Sequence, residues 1–340
     1  MNIMNSARFL RDVDRVEIPG RRFVHAYIKT MRPYLMFVSG ITGIAGMSLV
    51  PGVPAGPALA LAAAFFLSYG FGQALTDCFQ LDTDAISAPW RPMIQAKLRR
   101  SRVLVVSLAG LLGVGAALIA ANPWNLPLVL AMVAGLATYT PFKRRWWAGP
   151  PWNSWIVGLV CVSGILAGLG LVGTGAGRTV LATTPIAGTL VAVFFGYMNF
   201  VLAGYFKDIE ADRATDYRTL PVAFGRRSAA IVSDILALAA VAGALLAVLP
   251  AAARVDGPGI SIAVTGLLAG SAISLAAQLR LHRVRDDETA YRAVVPVVQA
   301  YLLIVAAIAS AHRPEWSGAL ALFVASGFLS LANRPHRSQI

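Results

Sequence analysis

Charge is what this chain has least of. Asp, Glu, Lys and Arg make up 13% of its 340 residues, against about 25% in a soluble globular domain. Most of the chain therefore has no water to face. Cysteine is almost missing as well. Cys78 and Cys161 stand far apart, which excludes a disulfide framework and a cysteine zinc site. Segments of about ten residues with alternating polarity, the mark of a membrane β-barrel, do not occur. No apolar run precedes about residue 33, so no cleavable signal peptide is expected. The net charge of +13 does not point to nucleic acid, because the basic residues lie in short connections between apolar runs.

Those apolar runs fill the rest of the chain. They cover roughly 33–50, 57–76, 102–121, 125–141, 152–173, 183–206, 228–250, 258–279, 293–311 and 315–332. Each approaches the ~20 residues that cross a bilayer core as a helix, and in lipid a helix satisfies its own backbone. The expected fold is all-α: a multispan transmembrane bundle of nine or ten helices in one domain, with a polar N-terminal segment at 1–30. Lys and Arg alternate between connections. Basic connections include Arg91 to Arg102, Lys143 to Arg145, Lys207 to Arg227 and Arg280 to Arg292, whereas the intervening ones hold only Arg178, Arg254 and Arg313. The positive-inside rule makes the basic side cytoplasmic.

Two basic loops, 77–101 and 207–227, also carry acids. One begins Asp77-Cys78-Phe79-Gln80-Leu81-Asp82-Thr83-Asp84; the other begins Lys207-Asp208-Ile209-Glu210-Ala211-Asp212 and continues to Asp216. Continued as helix, Asp77, Gln80 and Asp84 share one face while Asp82 points elsewhere, and Asp208, Asp212 and Asp216 form a stripe. The clusters lie about 130 residues apart, at the ends of the second and sixth apolar runs. That spacing suggests two pseudo-repeated four-helix units around a central cavity. Like charges so close call for a cation. Oxygen ligands without His or Cys suit Mg²⁺, which is commonly held by carboxylates together with substrate phosphates. Arg91, Lys143, Arg144 and Lys207 can face the same anion.

Several side chains have plainer readings. Trp90, Trp146, Trp147, Trp152 and Trp155 suit an interfacial aromatic belt. Gly158, Gly164 and Gly168 suit close helix packing. Tyr139, Asn153, Asn199 and Tyr205 suit either helix–helix hydrogen bonds or substrate contact. His25, His282, His312 and His336 fall in loops or the tail and are given no acid–base role.

In this order the motifs resemble the UbiA superfamily of intramembrane prenyltransferases. TDCFQLDTDAISAPWRPM at 76–93 is similar to its first aspartate motif, and YFKDIEADRATDYRTLPVAFG at 205–225 to its second. YTPFKRRW at 139–146, PWNSWIVG at 151–158 and MRPY at 31–34 match further family segments. Thr76 and Gln80 replace the usual Asn and middle Asp, and Asp216 stands where Gly is common. The resemblance implies a reaction on an isoprenoid diphosphate. Asp77 and Asp84 would hold one Mg²⁺, and Asp208 and Asp212, with Asp216 beside them, a second. Arg91, Lys143, Arg144 and Lys207 would meet the diphosphate, and Gln80, Tyr139, Asn153, Asn199 and Tyr205 the rest of the substrates. The leading expectation is transfer of the prenyl group to a small, aromatic acceptor. The altered first motif keeps open a terpene cyclase of the same family, and a non-catalytic carrier is the rival from another class. The Arg- and Ala-rich composition suggests a bacterial cytoplasmic membrane, with the site on its cytoplasmic side.

Overall fold

The computed structural model describes residues 20–173, 183–253 and 258–335. Residues 1–19 of the expected N-terminal segment, and Arg178, Arg254 and His336, lie outside the described residues. What is described is helical, and no strand occurs among the described residues. An amphipathic helix α1 (Gly20–Met31) precedes α2 (Met36–Ser48) and α3 (Ala55–Asp77). A short helix α4 (Leu81–Ser87) then leads to α5 (Arg100–Ala121), α6 (Asn125–Lys143), α7 (Gly149–Val172) and α8 (Thr183–Gly204). A second short helix α9 (Ile209–Ala214) leads to α10 (Leu220–Ala252), α11 (Pro258–Leu281), α12 (Tyr291–His312) and α13 (Ser317–Ala332).

Nine helices among the described residues are long and apolar enough to cross a membrane, the last being Pro314–Ala332. The run expected at 33–50 is shorter: α2 has 13 residues, about 20 Å of helix. It needs no lipid-facing length, because every residue of it except Phe37 is buried. Small residues let it sit so deep. A Cβ on Gly46 would collide with the Cys161 carbonyl, and one on Gly164 with the Gly43 carbonyl, so α2 and α7 meet backbone to backbone. Gly158, expected to serve in the same way, faces open space instead. The hydroxyls of Thr42 and Tyr301 share a hydrogen bond of 2.7 Å between α2 and α12.

Consecutive spans run alternately up and down, so the ends of α3, α6, α8 and α11 gather with the starts of α5, α7, α10 and α12. Both short helices lie at this end, which is also the basic end. The hydroxyl of Thr83, on the first, lies 3.2 Å from that of Thr215, which caps the end of the second. Asp287, in the loop before α12, ties the second of them down. It accepts from the Glu210 backbone N–H at 2.8 Å and pairs with Arg226 at 2.6 Å. Arg226 follows Gly225, whose φ of 80° breaks α10 near its start.

Candidate active site

The first acidic segment is not one helix. α3 stops at Asp77, and Gln80 takes φ −123° and ψ 23° before α4 begins. Asp77 and Asp84 therefore do not share a helix face, as their spacing of seven suggested; a cation brings them together. Arg91 bonds Asp84 and reaches Asp77 at 3.5 Å. Asp77 also takes Arg32 on both oxygens, at 2.9 and 3.1 Å, and Gln73 at 2.7 Å. Arg32 is buried and holds a left-handed φ of 53° just before Pro33. Such backbone strain persists only where its surroundings hold it, and here it aims the guanidinium at Asp77. Asp82 points away, as expected, to Arg144 at 2.9 Å.

The second segment breaks in the same manner. Asp208 precedes α9 with φ −118° and ψ 9° and pairs with Lys207 at 2.8 Å. Asp212 lies one turn on, fully buried, and accepts from Thr219 at 3.1 Å. The expected stripe of three ends there. Asp216 is exposed with φ 59°, because the chain has left the helix and turned over. Lys143 stands between the segments, 3.2 Å from Gln80 Oε1 and 3.5 Å from Asp212 Oδ1.

The electrostatics follow from burial and pairing. Burial pushes the Asp84 carboxyl up, and the charge of Asp77 adds to this against the pull of Arg91. Asp212 is pushed up to about 6, first by burial and then by Asp208, with Lys143 opposing. Burial would raise Asp208 too, but Lys207 and Lys143 outweigh it and hold that carboxyl below its usual range.

Below these pairs runs a cavity with about 1390 Å³ of space between its walls, open mouth included. Arg32, Asp77, Asp84, Arg91, Lys207 and Asp208 line its polar end. Gln80, Lys143, Asn153, Tyr139 and Tyr205 also line it, so these expected residues converge. Two others do not. Arg144 lies outside, half exposed, with its guanidinium 4.3 Å above the Tyr217 ring. Asn199 is buried against Ser233 on α10, so the helix–helix reading holds for it and substrate contact does not. Sequence reasoning missed Arg32, Gln73, Tyr69 and Tyr197 as parts of the cavity wall. Only Arg32 left a signal, as the Arg of the Arg-Pro pair that starts an apolar run. His25, expected in a loop, lies within α1, and His312 is the last residue of α12. Trp152 stacks on Phe142 at 3.5 Å, and Trp147 is exposed.

Far from the polar end the wall is apolar. On α6 it is made by Val129, Met132, Val133 and Leu136, a spacing of three and four that keeps one helix face on the cavity. Leu111, Val114, Gly115 and Leu118 do the same on α5. The model of the UbiA prenyltransferase family matches residues 39–295, a stretch containing both acidic segments and nearly all of this wall. The chain belongs to the UbiA prenyltransferase family. It is a multi-pass membrane enzyme of the UbiA type. Digeranylgeranylglyceryl phosphate synthase of Thermococcus kodakarensis is 28% identical over 286 residues, covering 83% of this chain and 96% of the relative. Among solved structures, a UbiA homolog from Aeropyrum pernix K1 shares the fold at TM-score 0.62 and 19% identity, over 87% of this chain and 96% of that one. A UbiA homolog from Archaeoglobus fulgidus bound to DMAPP and Mg²⁺ does so at TM-score 0.61 and 16% identity, over 90% and 99%.

The UbiA side chains present here fit magnesium. Asp212 Oδ1, 3.5 Å from Lys143, is buried without a hydrogen bond and can take a cation, whereas the buried Nε of Arg32 and Arg91, without acceptors, suit the anion that a magnesium ion would bring with it. Among the described residues no three metal-ligating side chains are grouped around one point. Mg²⁺ asks for less than that: one or two carboxylates, with phosphate oxygens and water completing its shell.

Proposed function

We propose that this enzyme transfers a prenyl group from an isoprenoid diphosphate to a small acceptor in a Mg²⁺-dependent reaction. One observation carries the reading: a single cavity joins a mouth of paired carboxylates and cations to a long apolar tube. Three lining carboxylates, Asp77, Asp84 and Asp208, with Asp212 buried beside Lys143, offset the four cations at the mouth, so the protein alone offers a diphosphate little net attraction. Magnesium held by Asp77 with Asp84, and by Asp208 with Asp212, would supply that charge and turn the diphosphate into a leaving group. Arg32, Arg91, Lys143 and Lys207 give it donors as negative charge gathers on the departing oxygens. Tyr69, Tyr139, Tyr197 and Tyr205 ring the neck. Their faces can stabilise an allylic cation and stack on an aromatic acceptor, which is the acceptor class we propose. The tube excludes water that would capture the cation.

Its length speaks to the donor. From Lys143 to Val129 the α6 face spans about 21 Å. An extended isoprene unit, four carbon–carbon bonds, takes roughly 5 Å, so the tube suits three to four units. The DMAPP and Mg²⁺ in the Archaeoglobus fulgidus homolog, and the geranylgeranyl groups in the Thermococcus kodakarensis relative's name, support an isoprenoid donor. The mouth lies on the cytoplasmic side if the basic loops follow the positive-inside rule, in a bacterial cytoplasmic membrane.

The test incubates purified protein and Mg²⁺ with dimethylallyl, geranyl, farnesyl and geranylgeranyl diphosphates, with aromatic or glyceryl phosphate acceptors. Diphosphate release with consumption of an aromatic acceptor is expected, fastest with the two longest donors. Consumption of the glyceryl phosphate alone overturns the aromatic assignment, and a hydrocarbon formed without acceptor replaces transfer by cyclisation. Gly115→Leu should fill the closed end, where a Cβ would already stand 2.8 Å from Val129. It should cut geranylgeranyl use about tenfold or more, the cost of a lost hydrophobic contact or two, and spare geranyl use. Equal loss on both donors would remove Gly115 from the tail site.

A further inference from the structure

At the same end of the bundle, away from the active-site mouth, a second cavity opens between α11, α12 and α13. It has about 1220 Å³ of space between its walls, counting its open side. Arg280 and Arg283 reach it from the end of α11, Arg292 from the first turn of α12, and Arg334 from just beyond α13. Its lining contains no Asp or Glu. Two of the arginines also reach backbone: Arg280 donates to the Arg292 carbonyl at 3.4 Å and Arg334 to that of Leu331 at 2.6 Å. In the loop before α12, Asp286 accepts from the backbone N–H and hydroxyl of Thr289 at 2.8 and 2.7 Å and also feels the charge of Arg292, while Asp287 pairs with Arg226.

All four cations are arginine. A guanidinium matches phosphate with a planar fork of donors, and is more weakly hydrated than an ammonium. Tyr291 holds two of them in place: its ring centroid lies 6.0 Å from Arg292 and 5.6 Å from Arg334. The start of α12 adds the positive end of a 22-residue helix dipole. Beneath the arginines the wall is formed by Val284, Ala293, Val295 and Pro296, with Gln299 one turn further along α12. The flanking helices are edge helices, with 33% and 28% of their spans buried, so the cavity lies at the rim, level with the headgroups of a surrounding bilayer. Basic pockets between helix ends on one membrane face are where anionic headgroups dock.

We propose that Arg280, Arg283, Arg292 and Arg334 form a binding site for the phosphate of an anionic phospholipid, whose acyl chain lies along Val295 and Pro296. The site is separate from the prenyl-transfer cavity and does not depend on the donor or acceptor of that reaction.

Full-length purified protein, stripped of lipid in detergent, is titrated with short-chain phosphatidylglycerol, phosphatidylcholine and inorganic phosphate, and adducts are counted by native mass spectrometry. Phosphatidylglycerol should bind at least about tenfold more tightly than phosphatidylcholine. Arg280→Gln with Arg292→Gln should lower its affinity about tenfold, and Arg283→Gln alone should lower it less. Both sets change exposed side chains, and unchanged thermal melting verifies folding. Arg21→Gln with Arg22→Gln removes the same charge from exposed positions on α1 and should leave binding unaltered. Equal weakening by the two double variants would reduce the effect to general surface charge and overturn the site. Displacement of the lipid by an equal concentration of inorganic phosphate would leave a free-anion site and overturn the lipid assignment.

Discussion

The two acidic turns of the active site share a backbone but not a charge. Gln80 and Asp208 occupy the same place, each just before a short helix, with φ of −123° and −118°. Four residues on, the amides of Asp84 and Asp212 bond back to their carbonyls at 3.0 and 2.7 Å. Gln80 is thus the counterpart of Asp208, and Asp84 of Asp212. The first turn has lost a carboxylate that the second retains, and takes an acid from the preceding helix instead, Asp77 with its own partner Arg32. Lys143 spans the difference. It donates to the neutral amide of Gln80 on one side and faces the buried acid Asp212 on the other. The frame is duplicated, whereas the electrostatics have diverged, and the second turn carries the more complete pair of carboxylates.

That asymmetry orders the mutational effects. Asp208→Ala or Asp212→Ala should lower turnover by about 10²–10³-fold or more, the scale of losing a group that stabilises the leaving charge. Gln80→Ala, at the equivalent place in the other turn, should cost no more than about tenfold. Diphosphate release by membranes carrying equal amounts of each variant measures both. Equal losses at Gln80 and Asp208 would restore the symmetry that we deny. Next comes Arg32→Ala, which strands Asp77 as a buried acid with part of its pairing gone. Breaking a buried pair costs about 3–5 kcal/mol, so a lowered melting temperature should accompany a loss of activity. Arg32→Lys should recover only part of both, because an ammonium does not reproduce the two-oxygen grip. Full recovery with Lys would show that charge alone suffices there.

Much of this was legible in the sequence, for identifiable reasons. Long apolar runs without charges have one stable form in lipid, so α3, α5, α7 and α12 could be read off directly. The second motif was readable because Asp208 and Asp212 are four apart and remain on one helical turn. The first was misread in its geometry. Spacing of seven implies one helix face, but α3 ends at Asp77, and nothing in the composition of Cys78-Phe79-Gln80 marks that break as strongly as a Gly or Pro would. Asp216 failed for a related reason: a residue in left-handed backbone keeps no helical register. Arg32 was hidden because its partner lies 45 positions away, and pairings at that range belong to packing. Asn199 illustrates the converse, since a polar residue near the end of a span can serve a neighbouring helix as readily as a ligand.

Two smaller effects sharpen the comparison of the turns. Gln80→Asp would restore the missing carboxylate. It should lower the Mg²⁺ concentration for half-maximal activity about tenfold, equivalent to roughly 1.4 kcal/mol, and strengthen Mn²⁺ binding measured without substrate. An unchanged metal affinity would mean that Lys143, and no ion, occupies the space beside position 80.

The last effect concerns protons. An ordinary Asp titrates near 3.9, and Asp212 is raised to about 6, while Asp208 is held below its usual range. Mg²⁺ requires the ionised form. Apparent Mg²⁺ affinity should therefore be flat above pH 7 and fall as pH drops through about 6, by up to tenfold per unit. The stability of the metal-free protein should respond with the opposite sign. Between about pH 6 and 4 the folded state holds a proton on Asp212 that the unfolded chain releases. This group's contribution to stability thus rises as pH falls across that window. Asp212→Asn should abolish both responses. A fall in metal affinity that survives in Asp212→Asn would assign the titration to another carboxylate, with Asp84, which burial also raises, the next to examine.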